Sequence, residues 1–95
     1  MYAVTVTFRL HPETSGAFMP LMIENARLSR ELEPGCQTFD ICTGDDPNIV
    51  FLYEIYDDQA AFHAHLKSDH FKSFDAAVTD MIAEKAINLF HEVIR

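Results

Sequence analysis

Three sets of side chains in this sequence could move protons or hold a small molecule. Asn25 interrupts an apolar helical pattern, falling between Leu21, Met22 and Leu28. A buried amide needs hydrogen-bond partners, so Asn25 either ties down a neighbouring segment or points into a pocket and orients a ligand oxygen. Glu54 stands in an apolar run with Val50, Leu52 and Tyr56. An ionised carboxylate there is costly unless paired, and Arg9 and Arg27 are the partners in view. Left unpaired, its pKa rises on desolvation and it becomes a general acid or base. His63, His65 and His70 cluster within eight residues. His63 and His65 point to nearly opposite sides of a helix, and His65 and His70 lie about 140° apart on a continuous one. Zinc favours i, i+4 pairs plus further ligands, so this spacing argues against a metal site. A break at Lys67-Ser68 would let His65 and His70 turn towards one cavity, where they can shuttle protons near neutral pH.

These groups need a scaffold, and its elements can be read from the pattern. Residues 2–10 alternate, with Val4, Val6, Phe8 and Leu10 on one face and Thr5, Thr7 and Arg9 on the other, as in a strand. His11-Pro12 breaks it. Thr14-Ser15-Gly16 offers capping for a helix over 14–32, with Phe18, Leu21, Met22, Leu28 and Leu32 as its apolar stripe. Pro20 predicts a kink or a later start, and Glu33-Pro34-Gly35 ends the helix. Residues 36–43 and 49–56, joined by a turn, predict an antiparallel hairpin. Asp57-Asp58 caps a short helix to Leu66. Ser68-Asp69 starts another, to about Glu84, with Phe71, Phe74, Val78, Met81 and Ile82 as its stripe. A last strand is expected over 86–94.

The order is β-α-β-β-α-β, an α+β, ferredoxin-like arrangement with a four-stranded antiparallel sheet in one domain over 1–95. On the third strand Ile49, Phe51, Tyr53 and Ile55 share one face, and Val50, Leu52, Glu54 and Tyr56 the other. Both faces are largely apolar and the helices can cover only one. The simplest cover for the second is the same face of another copy, which predicts a two-fold homodimer; an apolar ligand filling part of that space is the alternative.

Composition narrows the partners. The formal charge of −8, with seven scattered Lys and Arg, opposes nucleic acid and anionic membrane surfaces. The N-terminus lacks a basic, apolar leader, and no run approaches the roughly 18 apolar residues of a membrane span. The expected compartment is the cytoplasm. Cys36 and Cys42 lie about 20 Å apart along one strand, beyond disulfide reach, and read as free thiols. No glycine-rich phosphate loop, nucleophile elbow or CxxC is present. An enzyme built on this chain is therefore expected to work with no tightly held organic cofactor.

The run Asn25-Ala26-Arg27-Leu28-Ser29, then Glu33-Pro34-Gly35-Cys36 and Phe39-Asp40, resembles the antibiotic biosynthesis monooxygenase family. So do Tyr53-Glu54-Ile55-Tyr56 and the stretch from Ala61-Phe62 through His65 and Ser68 to His70-Phe71. The resemblance implies a dimeric α/β barrel, two sheets packed face to face, each subunit with a pocket between helices and sheet. It implies a cofactor-independent monooxygenase acting on a quinol or similar enolisable aromatic, whose own anion reacts with dioxygen.

Carried onto this chain, Asn25, Tyr53, Glu54, His65 and His70 would line the pocket. His65 or His70 would remove a proton, and Asn25 and Tyr53 would hold the oxyanion. Glu54 would orient a histidine or donate a proton. Phe71 and Phe74 are expected to give the substrate apolar contacts. A haem-degrading branch uses an Asn, a Trp and an iron-binding His. Those positions hold Phe8, His65 and Asp75 here, against haem. Another branch resembles an isomerase of the phosphorylated autoinducer-2 breakdown sugar and shares Asn25, Tyr53-Glu54, His65 and His70. A non-catalytic ligand-binding relative is the third reading.

Overall fold

The computed structural model describes residues 1–95. The elements are β1 (Tyr2–Leu10), α1 (Ser15–Leu32), β2 (Cys36–Thr43), β3 (Ile49–Tyr56), α2 (Gln59–Leu66), α3 (Asp69–Val78), a 3₁₀ turn (Thr79–Met81) and β4 (Ile82–Phe90). The sheet order is β2-β3-β1-β4 and every neighbouring pair is antiparallel. This is the expected α+β, ferredoxin-like fold, with the second helical region split in two. No helix is long and apolar enough to cross a membrane. Cys36 and Cys42 are both free.

Strand alternation decides which face meets the helices. Val4, Val6, Phe8 and Leu10 of β1 and Val50, Leu52, Glu54 and Tyr56 of β3 are buried beneath them. Phe18, Met22 and Ala26 of α1 close over this layer with Phe62 of α2 and Phe74 and Val78 of α3. Phe18 makes edge contacts with Phe8 and Phe74, ring centroids 5.3 and 5.8 Å apart. The opposite face carries Phe51 and Tyr53, each 37% exposed, and Phe90, 49% exposed.

Two expectations shift. The buried face of α1 is Phe18, Met22, Asn25, Ala26 and Ser29, while Leu21, Ile23 and Leu32 are exposed. The helix turns small and polar residues inward because its C-terminal half faces a histidine. Pro20 lies inside α1, which runs unbroken from Ser15. The second correction concerns the end of α3 and the last strand, which begins at Ile82 and ends at Phe90. Its ladder with β1 has the same limits: Leu10 pairs with Ile82 and Ala3 with Phe90. The His11 amide also donates to the Met81 carbonyl at 2.9 Å, which ends the helical turn there.

Gly35 allows the closest approach between elements. A Cβ at this position would stand 2.6 Å from Cβ of Ala61 on α2, and the Gly35 carbonyl accepts from the Asp57 amide. The β2–α2 spacing thus requires a residue with no side chain. Gly35→Ala is expected to lower stability by about 1–3 kcal/mol, measured as a lower urea midpoint at unchanged slope. A midpoint equal to wild type would show that α2 can yield at no cost.

Candidate active site

The site is built around the end of α1. Asn25, Ser29 and Glu33 recur every four residues and so fall along one side of the helix. Glu33 is the C-cap of α1, its amide bonded to the Ser29 carbonyl. A carboxylate is disfavoured at a helix C-terminus, so this one needs compensation. Two imidazoles supply it. Glu33 Oε2 lies 2.8 Å from His65 Nδ1 and 2.5 Å from His70 Nε2. Burial alone would raise the Glu33 pKa. The hydrogen bonds and charge of His65, then those of His70, outweigh burial and hold the carboxyl below its usual range.

Local capping brings the two histidines together. Asp58 accepts from the Ala61 amide at the start of α2, and Ser68 from the Phe71 amide at the start of α3. Ser68 Oγ also donates to the His65 carbonyl at 2.7 Å. The resulting break between α2 and α3 replaces the angular separation of a continuous helix. The His65 and His70 rings sit 6.1 Å apart.

His65 is 2% exposed, among Phe39, Tyr56, Phe62 and Phe71 with ring centroids 5.1–6.3 Å away. With Nδ1 on Glu33, its Nε2 makes no hydrogen bond within the chain. His65 lines a narrow cleft between the sheet and all three helices. Eleven of the fifteen lining residues are apolar. The four polar ones are Asn25, Glu54, His65 and Lys85.

Asn25 is 3% exposed and its Oδ1 has no partner. Glu54, also 3% exposed, accepts the Tyr56 hydroxyl at 2.5 Å. Burial pushes the Glu54 pKa above the usual carboxylate range; the Tyr56 hydrogen bond and the charges of His65 and Lys85 only partly offset it. Burial, reinforced by Glu54, likewise raises the Tyr56 phenol. Arg9 and Arg27 do not reach Glu54: Arg9 pairs with Glu84, and Arg27 with Glu24 and Glu31.

Glu33, His65 and His70 also offer one carboxylate oxygen and two ring nitrogens within 4.8 Å of one another. Such donors suit a zinc-like ion.

The antibiotic biosynthesis monooxygenase family model matches residues 1–77. The chain belongs to that family. Its fold superposes on a candidate antibiotic biosynthesis monooxygenase from Nitrosomonas europaea with a TM-score of 0.93 and 28% identity, covering 99% of this chain and 100% of that one. A second candidate, from Bacteriodes thetaiotaomicron, is 26% identical at a TM-score of 0.87, over 98% and 88% of the two chains. Rv0793 from Mycobacterium tuberculosis shares the fold at a TM-score of 0.90 and 23% identity, over 99% and 96%. Among proteins of curated function, none matches in sequence.

In this family member Asn25, Glu54, His65, Phe71 and Phe74 converge on the one cleft. Tyr53 does not. It alternates with Glu54 along β3, and its side chain stands on the far side of the sheet. His70 turns to Glu33 and to a second cleft between α1 and α3, which Asn25 and Phe74 separate from the first. Of the two histidines, His65 lines the main cleft and His70 the second. Sequence reasoning missed Glu33, read only as part of the helix stop. The four-residue recurrence of Asn25, Ser29 and Glu33 was its available signal. Lys85 was missed because it fell between an overlong helix and a late strand.

The Glu54 shift predicts a pH-dependent stability change. A carboxyl whose folded pKa is raised favours the fold below its unfolded pKa and loses that contribution as pH rises through the folded value. Glu54→Gln is therefore expected to match wild type near pH 4 and exceed it at pH 8 by on the order of 1 kcal/mol. Thermal melts across that range test this, and a variant less stable at pH 8 would overturn the assigned direction.

Proposed function

We propose that the protein is a monooxygenase of quinols or similar enolisable aromatics, working through the substrate's own anion with no organic cofactor. One observation carries this reading: His65 presents a free Nε2 to an apolar cleft while Glu33 holds its Nδ1. A carboxylate that accepts the Nδ1 proton fixes the tautomer and stabilises the imidazolium formed when Nε2 takes a proton. Aromatic walls suit an arene, and exclusion of water leaves its anion electron-rich.

In this scheme His65 Nε2 removes a hydroxyl proton and the electron pair stays on the substrate. Asn25, whose Oδ1 has no partner within the chain, accepts a hydrogen bond from a second substrate hydroxyl and so orients the ring. Dioxygen adds to the activated ring carbon, and the O–O bond then breaks. The substrate loses two hydrogens and gains one oxygen; the other oxygen leaves as water with those hydrogens. His65 returns the hydroxyl proton to the departing oxygen, and the proton lost from the ring carbon completes the water.

The presence of two proton-transfer groups, His65 and Glu54, on one cleft also favours a second reading, isomerisation of a small phosphorylated keto sugar. Oxygen dependence separates the two. An oxygen electrode with a panel of quinols is expected to record uptake by wild type. His65→Ala and Glu33→Gln are each expected to lower kcat by about 10²–10⁴-fold, with His63→Ala unchanged. Anaerobic turnover of a keto sugar would favour the isomerase, and binding without turnover a ligand-binding protein.

The same reading includes a homodimer formed through the outer sheet face, where Phe51, Tyr53 and Phe90 lie unpaired in the single chain. Light scattering is expected to give twice the 10.8 kDa chain mass, and Phe51→Glu to shift the population to monomer. A wild-type monomer at micromolar concentration would remove this part of the proposal.

A further inference from the structure

The cleft holds one cation, and it has no carboxylate partner. Arg9 and Arg27 are bound to glutamates, and Arg30 donates to the Phe39 carbonyl. Lys85 makes no salt bridge. It pairs with Phe8 across the β1–β4 ladder, which puts its side chain on the helix-facing side of the sheet. Its Nζ lies 5.6 Å from the centroid of the Phe8 ring, and both residues line the cleft. In a chain of formal charge −8, Lys85 is an exposed positive charge at the edge of an apolar cleft, placed to attract an anion there. The other ionisable groups facing that cleft are Glu54 of β3 and His65 of α2. The neighbouring Glu84 is engaged by Arg9 on the opposite face.

We propose that Lys85 is an anion subsite that favours bound hydroxyarenes in their monoanionic form, its ammonium, held over the Phe8 ring, receiving the oxyanion that forms. This rests on the role given to His65 above. When Nε2 takes the hydroxyl proton, the O–H bond breaks, an N–H bond forms, and the pair left on oxygen is balanced by the Lys85 charge. A cation positioned where negative charge develops lowers the cost of forming it. An apolar cleft with no such cation would favour the neutral phenol.

A chromogenic phenol reports this without turnover. 4-Nitrocatechol changes absorbance on ionisation, and nitrobenzene serves as a neutral analogue. Wild type is expected to bind the phenolate in preference to the phenol, lowering the probe's apparent pKa. Lys85→Met is expected to abolish that shift and weaken phenolate binding about tenfold, with nitrobenzene binding unchanged. Lys85→Arg is expected to restore most of the shift. Equal phenolate affinity in wild type and Lys85→Met overturns the proposal, as does failure of wild type to bind the phenolate. The two readings fail separately. A Lys85-dependent shift without oxygen uptake keeps the subsite and removes the oxygenase. Oxygen uptake indifferent to Lys85→Met does the reverse.

Discussion

The arrangement depends on one buried carboxylate oxygen shared by two imidazoles. Glu33 ends α1, His65 lies in the last turn of α2, and His70 in the first turn of α3. Their meeting point joins all three helices. A carboxylate at the C-terminal end of a helix and largely out of water has no reason to stay ionised by itself. Two N–H donors on one oxygen supply that reason. In return the carboxylate fixes how His65 is turned, leaving Nε2 as the nitrogen without a partner. Structural and chemical roles are thus the same contact, and the polar side of α1 is buried because of it.

The cleft follows from where helices stop. α3 ends at Val78 and a 3₁₀ turn leads directly into β4, so no helix lies fully over that edge strand. Ile87 and Leu89 remain about half exposed there, and Lys85 and Ile87 form one wall of the cleft. The floor is the buried face of β1 and β3. Its one carboxyl, Glu54, has its pKa raised by burial and accepts the Tyr56 hydroxyl. An imidazole, a carboxyl and an amide, each buried, therefore share a mostly aromatic and aliphatic enclosure, where electrostatic effects are stronger than in water, with the exposed Lys85 at its edge.

Much of the fold was legible because periodicity is a local property. The alternation in β1 and β3 and the breaks at His11-Pro12, Pro34-Gly35 and Ser68 follow from φ/ψ preference and burial pattern alone. The cap at Ser68 even placed the interruption that brings His65 and His70 together. The boundary of α3 was not legible. Val78, Met81 and Ile82 continue a helical stripe, yet Ile82 belongs to a strand because Leu10, seventy-two positions earlier, pairs with it.

The sequence by itself determined the element order, the apolar character of both faces of β3 and the residue types available for proton transfer. Tertiary structure alone decided which of them meet. Tyr53 and Glu54 are adjacent in sequence but separated by the thickness of the sheet, because strand side chains alternate. Glu33 and His65 are thirty-two positions apart but share a hydrogen bond. Lys85 entered the cleft through the register of β4 on β1. Local patterning sets the direction of each side chain relative to its own backbone, whereas the contacts between elements choose which directions converge.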